Sequence, residues 1–178
     1  MQKPMHILIF SIISIILKIR DVFYPPKYIL KDVEIKPGAS VLDFGCGPGS
    51  YSIATAELLA GTGKVFALDM QPVAIKKVNQ TAQKKKLTNI RTILSDCDTG
   101  LESDSVDVVL LYYIYNDLDH PEKVLAELYR VLKPQGILSF SEYNVKKIST
   151  RLEQKELFKI KKRDEITHTF LKIPLVVN

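Results

Sequence analysis

From residue 39 onward, apolar runs of strand length alternate with segments of helical period. SVLDF (residues 40–44) is short, apolar and closed by a glycine cluster, as a buried strand is. YSIATAELLA (51–60) predicts a helix ended by Gly61, and KVFALD (64–69) a second strand. Pro72 stands where a first helical turn tolerates proline, at the head of PVAIKKVNQTAQKKK. IRTILSD (90–96) predicts a third strand. VDVVLLYY (106–113) predicts a fourth, apolar at consecutive positions because a sheet covered on both faces allows no alternation. In PEKVLAELYRVL (121–132), Val124, Leu125, Leu128, Val131 and Leu132 recur at helical spacing. The Pro134-Gln135-Gly136 turn then feeds a fifth strand, GILSFSEY, and a short helix is expected at about 146–155. Residues 158–164 and 166–173 alternate in character around Asp164-Glu165, which predicts an antiparallel hairpin.

Strands joined by helical crossovers run parallel, with right-handed connections. The expected fold class is α/β: a doubly wound, Rossmann-like, mainly parallel seven-stranded sheet with a C-terminal antiparallel hairpin. Residues 1–38 are expected to form a helical cover and residues 39–178 a single domain. Within the cover, HILIFSIISIILKIR (6–20) is apolar almost all round. A spanning helix needs about 20 apolar residues, and this run stops at Lys18. A secretory signal would carry a stronger basic start and a small-residue cleavage site, which is absent. The segment reads as a buried or homodimer-forming helix. Peripheral attachment to a membrane surface is the alternative, since its apolar side chains must be covered by something.

Composition narrows the classes. The chain has 178 residues, 46% hydrophobic and 25% charged, enough for one core and too ordered in pattern for a disordered segment. Its two cysteines, Cys46 and Cys97, suit a reducing, cytoplasmic setting. With no CxxC pair and with His6, His120 and His168 scattered, no metal site is expected. The net charge is +5. Much of the excess lies among Lys146, Lys147, Arg151, Lys155, Lys159, Lys161, Lys162, Arg163 and Lys172. That tail reads first as a solvated face and second as a patch for an anionic substrate or nucleic acid. Lys84, Lys85 and Lys86 end a predicted helix, where they complement its dipole.

Strand-to-helix turns at the carboxyl edge of such a sheet form the ligand crevice. The first turn is Asp43-Phe44-Gly45-Cys46-Gly47-Pro48-Gly49, whose glycines permit close backbone approach. Asp69 ends the second strand, 20 residues after Gly49, the spacing at which an acid reaches ribose hydroxyls; a helix cap is the structural alternative. Asp96, in Ser95-Asp96-Cys97-Asp98, is placed either to accept from an adenine amino group or to serve as an ordinary turn residue. The fourth turn holds Tyr112, Tyr113, Tyr115, Asn116 and Asp117, and at least one of its tyrosines is expected to line the crevice.

Taken in order, these four turns resemble those of the class I S-adenosylmethionine-dependent methyltransferases over residues 36–142. The resemblance rests on VLDFGCGPG, on ALD ending at Asp69, on SDCD, and on SVDVVLLYYIYNDLDHPEKVLAELYRVLKPQG. It implies S-adenosyl-L-methionine as cofactor and a small-molecule acceptor. By position, Asp43 would organise the loop near the methionine amino group. Gly45, Cys46 and Gly47 would lie along the cofactor, with Gly49 making the turn into the helix. Asp69 would hold the ribose, Met70 would flank the adenine, and Asp96 with Cys97 would meet its edge. Leu111 and Tyr112 would lie near the methionine portion. There are departures. Asn116-Asp117 stands where quinone and sterol methylators carry His-His, and Leu111-Tyr112-Tyr113-Ile114 where amide methylators carry Asn-Pro-Pro-Tyr. Two cysteines are fewer than arsenic methylators use.

A sulfonium methyl is already activated, so the protein's main task is to orient the partners. For an oxygen or carbon acceptor needing a general base, the catalytic candidates are Tyr112, Tyr115, Asn116 and Asp117. Aromatic faces also attract a cationic sulfur. A nicotinamide-dependent oxidoreductase shares the strand, glycines and acid. However, Gly45, Gly47 and Gly49 form GxGxG with serine at position 50, and the length leaves no substrate domain. Two further alternatives are a non-catalytic cofactor-binding partner subunit and an RNA methyltransferase using the basic tail.

Overall fold

A computed structural model of the chain describes residues 7–153 and 157–174; of Ile7 and Arg151 it describes the backbone only. His6 of the predicted first helix, and Gln154 and Lys155 of the predicted sixth, lie outside the described residues. Two helices come first, α1 (Ile7–Phe23) and α2 (Pro26–Leu30). The sheet units follow: β1 (Ser40–Phe44), α3 (Ser50–Leu59), β2 (Lys64–Asp69), α4 (Pro72–Lys84), β3 (Ile90–Leu94) and β4 (Val106–Tyr112). After a 3₁₀ turn (Tyr115–Asp117) come α5 (Pro121–Val131), β5 (Leu132–Ser141), α6 (Val145–Glu153), β6 (Phe158–Arg163) and β7 (His168–Lys172).

The strands form one seven-stranded sheet in the order β3-β2-β1-β4-β5-β7-β6. Pairings from β3 through β5 are parallel; β7 runs antiparallel to both β5 and β6. This is the doubly wound, mainly parallel sheet with an antiparallel C-terminal hairpin that the alternation predicts. Successive residues on the central strands serve opposite faces, which is why those strands read as unbroken apolar runs. Val41, Val108 and Leu110 pack with Ile29, Leu30 and Leu59 from α2 and α3. Leu42, Val109 and Leu111 pack with Leu125, Leu128, Ile148 and Leu152 from α5 and α6.

Details differ from the pattern. β5 begins at Leu132, before the proline-glycine turn, and its pairing with β4 shifts register between Val106 and Val108. Gln135 at φ +66° and Gly136 absorb that irregularity. The reading of the first helix as buried does not hold. In α1, Leu8, Ile9, Ile12, Ile13, Ile15, Ile16, Ile19, Val22 and Phe23 are all exposed, while Phe10 is buried. Four cations of the basic tail are held in ion pairs. Lys161 pairs with Glu34, Lys162 with Asp164, Arg163 with Glu153, and Lys172 with Asp104. Among the described residues no helix is long and apolar enough to cross a membrane, and no cluster of metal-ligating side chains occurs.

Asp107 ties three strands together at the amino edge. Its Oδ2 accepts the Ser40 backbone N–H at 2.8 Å, and its Oδ1 accepts from Lys133 Nζ at 2.7 Å. Asp107→Ala leaves a strand-end amide without its partner, and we expect a loss of about 1–2 kcal/mol in urea unfolding. Asp107→Asn keeps an acceptor for Ser40 and should recover most of that loss. Equal stability of the alanine variant and the wild-type protein would show that water satisfies the amide.

Candidate functional site

Strand order reverses between β1 and β4, and the turns leaving β1, β2, β3 and β4 converge at that edge. The first turn is fastened to β2. Both Gly45 N–H and Cys46 N–H donate to the Leu68 carbonyl at 2.9 Å, and Gly47 N–H donates to Asp69 Oδ2 at 2.8 Å. The other carboxylate oxygen, Oδ1, accepts Gln71 N–H at 2.8 Å, and Ser95 N–H reaches the Asp69 carbonyl at 3.1 Å. Asp69 thus joins three turns, and each of its carboxylate oxygens keeps a further lone pair for a ligand hydroxyl. The cap alternative is met in part, since Gln71 is the residue that precedes α4.

The three glycines all lie at positive φ, and they differ in what faces the missing side chain. A β-carbon on Gly45 would fall 2.8 Å from Ile114, and one on Gly49 would fall 2.7 Å from Val78. At Gly47 nothing lies within 4 Å. Gly45 and Gly49 are therefore glycine for packing, and Gly47 leaves its backbone open to an incoming group.

Two acids are buried here with little countercharge. Asp43 is 2% exposed and Asp69 8%. Burial lifts the Asp43 carboxyl to about 6, helped by the nearby charge of Asp69 and opposed by a hydrogen bond from Ser52 Oγ. Asp69 is raised by burial too, against the two amides that favour its charge. Burial and then both acids push the Cys46 thiol well up, so it stays protonated.

The fourth turn divides its residues. Leu111 is in the core. Tyr112 is buried on the opposite face, edge-on to Tyr51 at 4.7 Å, with its hydroxyl 2.7 Å from Ser139 Oγ. Burial drives its phenol far above the ordinary value. Tyr113 breaks out of the strand at φ +56° and stacks beside Tyr143 at 5.3 Å. Tyr115 is half-buried and edge-on to Phe140, while Asn116 and Asp117 are exposed. At the third turn, Asp96 is exposed and Cys97 half-buried. Both line a pocket of about 230 Å³ whose other wall is Leu118, Asp119, His120 and Lys123. Burial, then Glu127, Asp96 and Asp98, keeps the Cys97 thiol raised. Met70, half-buried, follows Asp69 directly.

Sequence reasoning missed a latch. The end of α1 folds onto the glycine turn, where Ser50 Oγ donates to Asp21 Oδ2 and Arg20 donates to Asp21 Oδ1 at 2.7 Å. The Arg20 guanidinium stands 5.4 Å from the ring centres of both Tyr51 and Tyr113. The Tyr51 hydroxyl beside it is buried and has no hydrogen-bond partner among the described residues. The available signal was a charged pair, Arg20-Asp21, closing a long apolar run.

Residues 35–172 match the family model described as a methyltransferase domain. Two similar curated proteins are a demethylmenaquinone methyltransferase of Oceanobacillus iheyensis and an arsenite methyltransferase of Halobacterium salinarum. The first is 30% identical over 111 residues, covering 62% of this chain and 47% of the relative. The second is 30% identical over 107 residues, covering 60% of this chain and 27% of the relative. The chain thus spans less than half the length of these relatives. A solved S-adenosylmethionine-dependent methyltransferase from Aquifex aeolicus shares the fold, with a TM-score of 0.78 and 24% identity. That match covers 84% of this chain and 90% of the other.

The buried acids generate a pH-dependent expectation. A carboxyl whose folded value exceeds its ordinary 3.8 favours folding below that value, and the advantage is lost as pH rises through about 6. Asp43→Asn retains an acceptor for Ser52 and removes the charge. We expect it to melt at a higher temperature than the wild-type protein at pH 8, with the gap narrowing below about pH 6 and closing toward pH 4. A gap that is constant with pH would mean the carboxyl titrates normally.

Proposed function

The chain belongs to the methyltransferase-domain family of class I S-adenosylmethionine-dependent methyltransferases, and from that premise we propose that it is an enzyme that moves a methyl group from S-adenosyl-L-methionine to a small-molecule acceptor. The observation that supports this most is the pairing of Gly47 and Asp69. An open backbone position and an acid with spare lone pairs are fastened together at the switch point of the sheet.

In this reading residues 39–178 form the cofactor domain and residues 1–38 its cover. Asp69 takes the ribose hydroxyls, with Gly45, Cys46, Gly47 and Gly49 shaping the loop alongside. Met70, Asp96 and Cys97 frame the adenine, which suits the pocket at the third turn. Asp43 and Leu111 underlie the methionine end. Tyr112 acts there through Tyr51, because its own hydroxyl is committed to Ser139. Arg20 and the buried Tyr51 hydroxyl close that end from the cover side.

The cofactor supplies an activated methyl group, so the chain's work is to bind, orient and exclude water. Of the candidate bases, Tyr112 is the poorest, being buried and hydrogen-bonded. Tyr115, Asn116 and Asp117 sit at the open edge, where an acceptor would be held. An acceptor as thiophilic as arsenite fits badly with a chain that has only two cysteines, Cys46 and Cys97.

S-Adenosylhomocysteine should raise the melting temperature, and NADH should not. Asp69→Ala should weaken that ligand at least about tenfold, the scale of one charged hydrogen bond. Gly47→Val should abolish binding while retaining the circular dichroism of the folded chain. If neither nucleotide stabilises the protein, the cofactor assignment fails. Transfer of label from the cofactor only after a second protein is added would favour the partner-subunit alternative.

A further inference from the structure

We propose that α1 is a membrane-surface helix that lays its outer face into an anionic lipid bilayer. At 3.6 residues per turn, the nine exposed apolar side chains from Leu8 to Phe23 occupy about 180° of the helix circumference, bounded by Val22 and Ile13. The inward side holds Phe10, Leu17, Ser14 and Asp21, which are buried or half-buried. The helix thus turns a continuous apolar half outward, while its inward side mixes Phe10 and Leu17 with Ser14 and Asp21.

The width of that face identifies its occupant. A partner helix covers a narrow seam of a and d positions, and the rest of a half-cylinder would stay wet. A lipid surface covers the whole arc at once, which is how interfacial helices sit. Among the described residues no helix is long and apolar enough to cross a membrane.

Charge and aromatic placement agree. Through residue 31 the chain carries five bases (Lys3, Lys18, Arg20, Lys27 and Lys31) against one acid, Asp21. That acid is already engaged by Arg20 and Ser50. Lys18, Lys27 and Lys31 are exposed, as are Phe23, Tyr24 and Tyr28 where the chain leaves the helix. Lys27 and Lys31 hold their ammonium groups 5.5 and 4.9 Å from the Tyr28 ring centre. Aromatic rings with lysines at the end of an apolar face match the headgroup level of a membrane, and the cations match anionic lipid. The helix ends at the Arg20–Asp21 latch on the glycine turn, so bound lipid would lie beside the carboxyl edge of the sheet.

Co-sedimentation of the full chain with vesicles tests this, using phosphatidylcholine alone and phosphatidylcholine mixed with phosphatidylglycerol. The chain should pellet with the mixed vesicles, less with phosphatidylcholine alone, and less again in high salt. Ile12→Glu/Ile16→Glu alters only exposed positions, should melt as the wild-type protein does, and should reduce partitioning at least about tenfold. The chain has no tryptophan, so Ile15→Trp provides a single reporter whose emission should shift to the blue on mixed vesicles. A wild-type protein that remains in the supernatant overturns the proposal. So does a dimer that the double variant converts to monomer without any vesicle binding, because the face would then belong to a second copy. Neither outcome bears on methyl transfer, which S-adenosylhomocysteine binding tests separately.

Discussion

The backbone N–H groups of the turn after β1 have to find acceptors at a place where the sheet has run out of strands to offer them. A turn beside buried strands cannot leave its amides unpaired. Here the last two residues of β2 supply acceptors for three of them: the Leu68 carbonyl takes Gly45 and Cys46, and the Asp69 carboxylate takes Gly47, while Gly49 N–H closes within the turn on the Cys46 carbonyl. The loop's shape is therefore set by its neighbour strand. Packing finishes the job, with Ile114 over Gly45 and Val78 against Gly49. A residue from the fourth turn and one from α4 thus help to hold the first turn, and the edge behaves as one unit.

That unit carries an electrostatic cost. Asp43 and Asp69 are both buried, near enough for the Asp69 charge to disfavour ionisation of Asp43, and among the described residues the only side-chain donor to Asp43 is a serine hydroxyl. A structure selected for stability alone would place neutral groups there. In the proposed reading, the cofactor's polar and cationic groups would supply the counterpart that these buried acids lack. The Arg20–Asp21 pair makes the same point from outside. Burial works against the Arg20 charge, and the bond to Asp21, with Tyr51 and Tyr113 beside it, more than compensates.

Much of this was legible in the sequence for a local reason. A buried parallel strand must be apolar at consecutive positions, and a glycine turn must follow a strand to matter, so β1, β2 and β4 and the loop at Gly45–Gly49 announce themselves. The antiparallel end was readable from its alternation. What stayed hidden depends on contacts between distant segments. Nothing in α1's composition tells that Phe10 and Ser14 face inward and its isoleucines outward. Tyr113 looks like one more strand residue until the Ser141 carbonyl takes its amide and the chain turns at positive φ. The basic tail looks like a patch because its acidic partners, Glu34 and Asp104, come from elsewhere in the chain.

The acceptor is a different kind of problem. One relative is named for a quinone and another for arsenite, and each is 30% identical to this chain over a little more than 100 residues. A region shared equally with proteins of such unlike acceptors cannot be what selects among them. In this chain the residues fixed by the sheet, Asp43, Gly47, Asp69 and Tyr112, are all turned inward or toward the switch point. The surfaces left to choose an acceptor are those the sheet does not dictate: the 3₁₀ turn at Tyr115–Asp117, and the cover segment latched through Arg20. In the proposed reading, an acceptor for a methyl group held over the glycine turn would meet those two surfaces. Acceptor choice would then depend on how they face each other, and the bond between Ser50 and Asp21 ties one of them to the glycine turn.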